Sequence, residues 1–142
     1  MKLEIIQKMR KFMRLQLVLL VLWIPCIILI FKFIPNRQYA GLVAGAGFLI
    51  IPFYNIGSEW IGLRVNNMIK MRIISSILFV IISALPIFLL RVFNWNIPFD
   101  EIQTGLPLSG RDLHSLSNYI YILMLSIYAI TAFIEAFKEN KP

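Results

Sequence analysis

Four long apolar runs leave this chain little choice of fold. Residues 15–34, 39–60, 73–92 and 117–137 are each rich in Leu, Ile, Val and Phe and poor in charge. About 20 residues at roughly 1.5 Å rise span a hydrocarbon core of about 30 Å, so each run has the length of a membrane-crossing helix. Strands of a membrane barrel would instead alternate in polarity over segments of about 10 residues. The runs are apolar on all sides over much of their length, which excludes that pattern. Composition agrees: 59% of the residues are hydrophobic, against about 45–50% in a soluble domain.

The expected fold class is therefore all-α: a polytopic membrane protein built as a four-transmembrane-helix bundle. Only short connectors remain between the runs, so residues 1–142 are expected to form one domain. The longest connector, residues 94–116, is expected to be an external loop. Trp23, Pro25, Lys32 and Phe33 stand where a cleaved signal peptide needs small residues, so the first run is expected to stay in the protein.

Ahead of the first run, Ile5, Met9 and Phe12 recur at helical spacing, widened by Ile6 and Met13, while Arg10, Lys11 and Arg14 point elsewhere. This pattern is an N-terminal amphipathic helix, lying at an anionic membrane interface or running directly into the first span. Charge also sets orientation. Ten of the 14 Lys and Arg residues fall on one side of the membrane: Lys2, Lys8, Arg10, Lys11, Arg14, Arg64, Lys70, Arg72, Lys138 and Lys141. Lys32, Arg37, Arg91 and Arg111 fall on the other. The positive-inside rule then places both termini in the cytoplasm, most simply across a bacterial inner membrane. The net charge of +7 is a topology signal on this reading, and no folded basic surface is available for nucleic acid.

Two polar stripes are the most specific pattern in the chain. At about 100° per residue, Gly41, Gly45, Phe48, Pro52, Asn55 and Glu59 stay on one face of the second helix. Gly41 and Gly45 form a GxxxG pair that lets another helix approach closely, so Gly41, Gly45, Phe48 and Pro52 are expected to pack against a neighbour. Leu42, Leu49, Phe53 and Trp60 are expected to face lipid. The fourth helix repeats the arrangement with Ser117, Tyr121, Met124, Tyr128, Thr131 and Glu135. Each stripe ends in a glutamate on the same side. Arg64 and Arg72, read as residues of the connector after the second helix, are the expected counterions, with Lys138 one turn from Glu135.

The long connector combines Trp95 and Phe99, suited to a membrane interface, with Asp100, Glu101, Arg111, Asp112 and His114. Connectors of this length are commonly functional, which marks these residues as a candidate binding surface. Arg111, Asp112, His114 and Ser115 do not make a catalytic triad by adjacency, and Ser115 or Ser117 is expected to cap the fourth helix. One histidine, His114, and one cysteine, Cys26, give no metal-ligand spacing, so no cofactor or metal is expected.

Sequence alone thus points to a small non-enzymatic membrane subunit. Its expected partners are membrane lipids and either further copies of itself or a larger membrane complex, with the external loop offered for binding. Two alternatives share the same hydropathy: an oligomeric channel or small transporter with polar stripes ending at Glu59 and Glu135, and a membrane effector or immunity protein.

Overall fold

The structure, a computed structural model, describes residues 2–60 and 67–139. They form four long helices: α1 (Lys2–Phe33), α2 (Arg37–Glu59), α3 (Asn67–Phe93) and α4 (Gly110–Glu139). The fold is all-helical, and all four helices are long and apolar enough to cross a membrane. α1 runs without a break from the basic N-terminal stretch into the first apolar run, even across Pro25. The expected amphipathic face rests on Ile5, Ile6, Met9 and Phe12, whose side chains lie outside the described residues, as does the whole of Arg64.

Local chemistry starts the helices. At α2, the Asn36 side-chain oxygen accepts from the backbone N–H of Gln38 at 3.0 Å and of Tyr39 at 3.4 Å, covering donors that the first turn leaves without partners. At α4, Ser109 and Asp112 cap each other. Asp112 N–H donates to Ser109 Oγ at 3.2 Å, and Ser109 N–H donates to Asp112 Oδ2 at 3.1 Å. This is the reciprocal capping box, with aspartate in the place of the usual glutamate. α4 therefore begins at Gly110, capped by Ser109, and not at Ser115 or Ser117; Arg111, Asp112 and His114 sit on its first turns.

α3 is α-helical over Asn67–Phe79 and Leu85–Phe93, with one wide π-helical turn, Val80–Ala84, between them. In that turn the Leu85 N–H reaches back five residues to the Val80 carbonyl, just before Pro86. Such a turn inserts a residue into the helical register. Both Ser83 and Ala84 are buried as a result, whereas no residue of Leu85–Phe93 is fully buried.

α1 and α3 each pack against both α2 and α4. At the middle of the bundle Leu20, Phe79, Ala84, Tyr121, Met124 and Tyr128 form a buried cluster, edged by Phe48 and Leu49. Phe48 meets the Tyr121 ring edge-on at 5.1 Å, and the Tyr121 hydroxyl donates to the Leu20 carbonyl at 2.7 Å. Leu49 is thus drawn partly into the core, while Phe53 and Trp60 stay outside at 58% and 59% exposure. The outer surface is otherwise a field of large apolar side chains, among them Ile28, Ile50, Ile81, Ile122, Leu123 and Phe133. Gln16, Asn55, Glu59, Arg72, Ser76, Thr131 and Glu135 are buried. A water-soluble protein has the opposite distribution, and this one is compatible with an integral membrane protein.

Candidate functional site

The polar stripes of α2 and α4 converge on one side chain of α3. Arg72 is 2% exposed; its Nε donates to Glu59 Oε1 at 2.9 Å and its Nη1 to Glu135 Oε1 at 3.4 Å. One guanidinium thereby ties three helices together, with the two carboxylates also buried. Arginine suits the position because its planar fork presents several donors at fixed angles, so two acceptors can be served at once. The hydropathy pattern places Arg72 in a connector, and the structure corrects this. It lies within α3, which is already helical at Asn67.

The cluster continues inward as a polar layer. Tyr128, fully buried, shares a hydrogen bond of 3.2 Å with Ser76 Oγ. Thr131 Oγ1 turns back onto its own helix, donating to the Ile127 carbonyl at 2.7 Å. Asn55 is fully buried, and neither of its side-chain polar atoms has a hydrogen-bond partner; Glu59 Oε2 is in the same position. Gln16, on α1, is buried and donates to Ser58 Oγ, and Ser58 in turn donates to the Asn55 carbonyl at 3.1 Å.

Sequence reasoning missed Gln16, Ser76 and Ser83, and a signal for them existed. Arg72, Ser76, Phe79 and Ser83 step by +4, +3 and +4 along α3, a third stripe of the kind found on α2 and α4. Met13, Gln16 and Leu20 do the same on α1 with +3 and +4, and all three are buried. Ser83 donates to Ser117 at 2.5 Å, on the far side of the aromatic and aliphatic cluster from Arg72. The polar groups are thus divided into two layers, with Leu20, Phe79, Tyr121 and Met124 packed between them.

The small residues of α2 behave differently from expectation. Gly41 and Gly45 admit no helix backbone among the described residues: a Cβ at Gly41 would meet nothing within 4 Å, and one at Gly45 would meet the edge of the Phe88 ring at 3.0 Å. Close approach occurs instead at Gly47, where a Cβ would overlap the Trp23 indole of α1. The buried face of α2 runs through Ala40, Ala44, Gly47, Pro52, Asn55 and Glu59, and Phe48 joins the core edge. Gly41 and Gly45 lie beside that face and line a cavity of about 480 Å³ bounded by α1, the Leu85–Phe93 half of α3, Phe99 and the start of α4.

At that end the connector, residues 94–109, is an ordered cap. Arg91 donates to the Ile97 carbonyl at 3.0 Å and lies 4.3 Å above the Phe99 ring, which also meets His114 edge-on at 5.8 Å. Ile102 is buried, Gln103 pairs with Ser109 across a short bridge, and Gly105 makes the tight turn between them with φ of +73°. Trp95 packs on Tyr39 at 5.3 Å. Asp100 and Arg111 are exposed and 4.0 Å apart, Glu101 is exposed, and Asp112 is occupied as a helix cap. The residues expected to form one binding surface are therefore divided: Asp100, Glu101, Arg111 and Asp112 make a charged rim, Phe99 and the exposed His114 meet beside Arg91, and Trp95 packs on Tyr39.

Two places thus hold concentrated chemistry: the Arg72 cluster at one end of the bundle, and the capped cavity at the other. Among the described residues, no group of three or more His, Cys, Asp and Glu is placed to hold a metal ion. No protein-family model, no curated protein and no solved structure matches the chain.

Proposed function

We propose that this chain is a small non-enzymatic membrane subunit, a rigid four-helix body that binds its partner through the capped end. The single observation that carries the reading is the Arg72 cluster. Both glutamates that could have lined a path are engaged by one buried guanidinium, which suits them to holding helices together. Within a bilayer, apolar contact with lipid replaces apolar contact between helices, so packing and interhelical polar contacts must supply the cohesion. The apolar layer of Leu20, Phe79, Tyr121 and Met124 between the two polar layers weighs against conduction through the single chain.

With the helices locked at the Arg72 end, the chemistry free for recognition is on residues 94–112: Glu101, the Asp100 and Arg111 pair, and the exposed Leu106 and Leu108. Charge bias orients this end to the outside and both termini to the cytoplasm, in a setting such as a bacterial inner membrane. The test is replacement of residues 103–108 by a Gly/Ser linker that leaves the Ser109–Asp112 cap intact. Purified in mild detergent, the altered protein should keep its helical content and lose whatever protein co-purifies with the original. Full retention of that partner would refute the assignment, and so would the purified chain alone passing ions into vesicles in a Glu59-dependent manner.

A further inference from the structure

The capped cavity has features that the subunit reading leaves unused. At about 480 Å³ it falls within the range of small-ligand sites, about 300–1,000 Å³. Its inner wall is apolar: Ile27 and Phe31 of α1, Ala44 and Phe48 of α2, and Ile87 and Phe88 of α3. From Gly41 to Phe48 the wall runs for seven residues of helix, about 10 Å. Its outer end is polar, with Arg37, Arg91, His114 and Asn118. A second cavity, of about 320 Å³, adjoins it and shares Arg37, Arg91 and Phe99, adding Gln38 and Asn96.

Charge at this mouth is unbalanced. Both cavities are lined by the two arginines and by no carboxylate; Asp100 and Glu101 line neither. Arg91 is held by backbone carbonyls and the Phe99 ring, with no acidic partner among the described residues. The side chains of Arg37, Gln38, Asn96 and Asn118 make no hydrogen bond or ion pair among the described residues. Two guanidiniums beside unengaged amides offer a set of donors for an anion with several oxygens, and arginine matches a phosphate well because its donors come in a fixed fork. An apolar slot about 10 Å deep behind such a donor set fits a molecule that is anionic at one end and hydrocarbon at the other.

We propose that this cavity is a binding site for one anionic phospholipid, its phosphate held between Arg37 and Arg91 and the upper part of an acyl chain lying along Gly41 and Gly45. Gly41 then has a purpose within the chain, since a Cβ there would enter open space where the hydrocarbon lies, while Gly45 leaves room for the Phe88 ring that walls the slot. The wide turn of α3 precedes the half-helix that carries Ile87, Phe88 and Arg91, so the site lies along the part of α3 that has no fully buried residue. The site requires only that the bundle lie in a bilayer, and it is independent of the protein partner proposed above.

The test is native mass spectrometry of the full chain released from mixed micelles containing phosphatidylglycerol and phosphatidylcholine with the same acyl chains. One phosphatidylglycerol should be retained per chain, in preference to phosphatidylcholine by about tenfold: both lipids carry the phosphate, but the choline cation would face two arginines with no carboxylate lining the cavity beside them. Arg37→Gln, whose parent side chain bonds to nothing in the described protein, should remove most of that preference. Gly41→Phe should fill the slot and lower retention of both lipids without changing helical content. Inorganic phosphate at millimolar concentration should not displace the bound lipid.

Equal retention of the two lipids would overturn the proposal, as would an Arg37→Gln protein that still prefers phosphatidylglycerol. Displacement by phosphate alone would equally overturn it, because the hydrocarbon slot would then contribute nothing. Should Gly41→Phe fail to fold, the lipid preference of Arg37→Gln decides the matter. Loss of the protein partner on loop replacement, with lipid retention unchanged, would separate this site from the recognition surface.

Discussion

Replacing Arg72 by methionine tests the central cluster most directly. The change keeps a long side chain in the space but removes the guanidinium that pairs with both Glu59 and Glu135. At the two observed separations, 2.9 and 3.4 Å, Coulomb's law with an effective dielectric of about 20 gives an attraction of about 5 kcal/mol for each pair. Desolvation of the three ions offsets much of it. The loss on removing one member of a buried ion pair is therefore about 3–5 kcal/mol, and it arises chiefly from the Glu59 carboxylate left buried without its ion-pair partner. For a chain of this length that is a fall in melting temperature on the order of 10 °C. Thermal unfolding in mild detergent, followed by tryptophan fluorescence and circular dichroism, measures it.

The decisive comparison is the triple variant Arg72→Met, Glu59→Gln, Glu135→Gln. With no buried charge left, its stability should return to within about 1 kcal/mol of the original, since well-packed neutral side chains often replace a buried ionic cluster at little loss. Glu59→Gln alone should fall between these limits, because Arg72 keeps Glu135. A triple variant as unstable as Arg72→Met would show that the guanidinium matters through its shape and not its charge. An Arg72→Met protein that melts like the original would remove the cluster from any account of stability.

Two further predictions follow from the glycines and from the charge bias. Gly41→Ala should stabilise the bundle by about 0.5–1 kcal/mol, the gain of alanine over glycine inside a helix, because its Cβ enters open space; Gly47→Ala should destabilise it by about 1–3 kcal/mol, because its Cβ enters the Trp23 indole. Equal effects in the same unfolding assay would sink the assignment of Gly47 as the contact glycine. In a Cys26→Ala background, a cysteine at Gly105 should react with an impermeant thiol reagent from outside the cell. Reaction only after the cytoplasmic face is opened would reverse the proposed orientation.

Particular residues show where sequence reading stopped. The inward direction of Asn55, Glu59, Tyr128, Thr131 and Glu135 was legible, because each helix has a fixed rotation per residue and polar groups recurred along one face. Arg72 was visible only as a nearby cation. Its true place depended on α3 extending back to Asn67, which a hydropathy pattern cannot mark when the helix end itself is polar. The start of α4 was misjudged for a related reason: Ser109 and Asp112 carry the capping signal, but Gly110 between them reads as a breaker. At Gly110 a Cβ would run into the Phe99 carbonyl, so that glycine serves packing of the loop against the helix.

Sequence by itself determined the number of long apolar helices and which face of α4 and of the Pro52–Glu59 half of α2 turns inward, since both follow from local periodicity and from the length needed to cross hydrocarbon. Only the tertiary structure decided that the two glutamates share one arginine, that Gly47 and not Gly41 is the point of close approach, and that Gly41, Gly45, Arg37 and Arg91 surround a single cavity. Those facts depend on the relative rotation and offset of different helices. That arrangement is settled by how side chains far apart in the chain fill space together, and a wide turn such as Val80–Ala84 rotates everything beyond it by about one residue, roughly 100°.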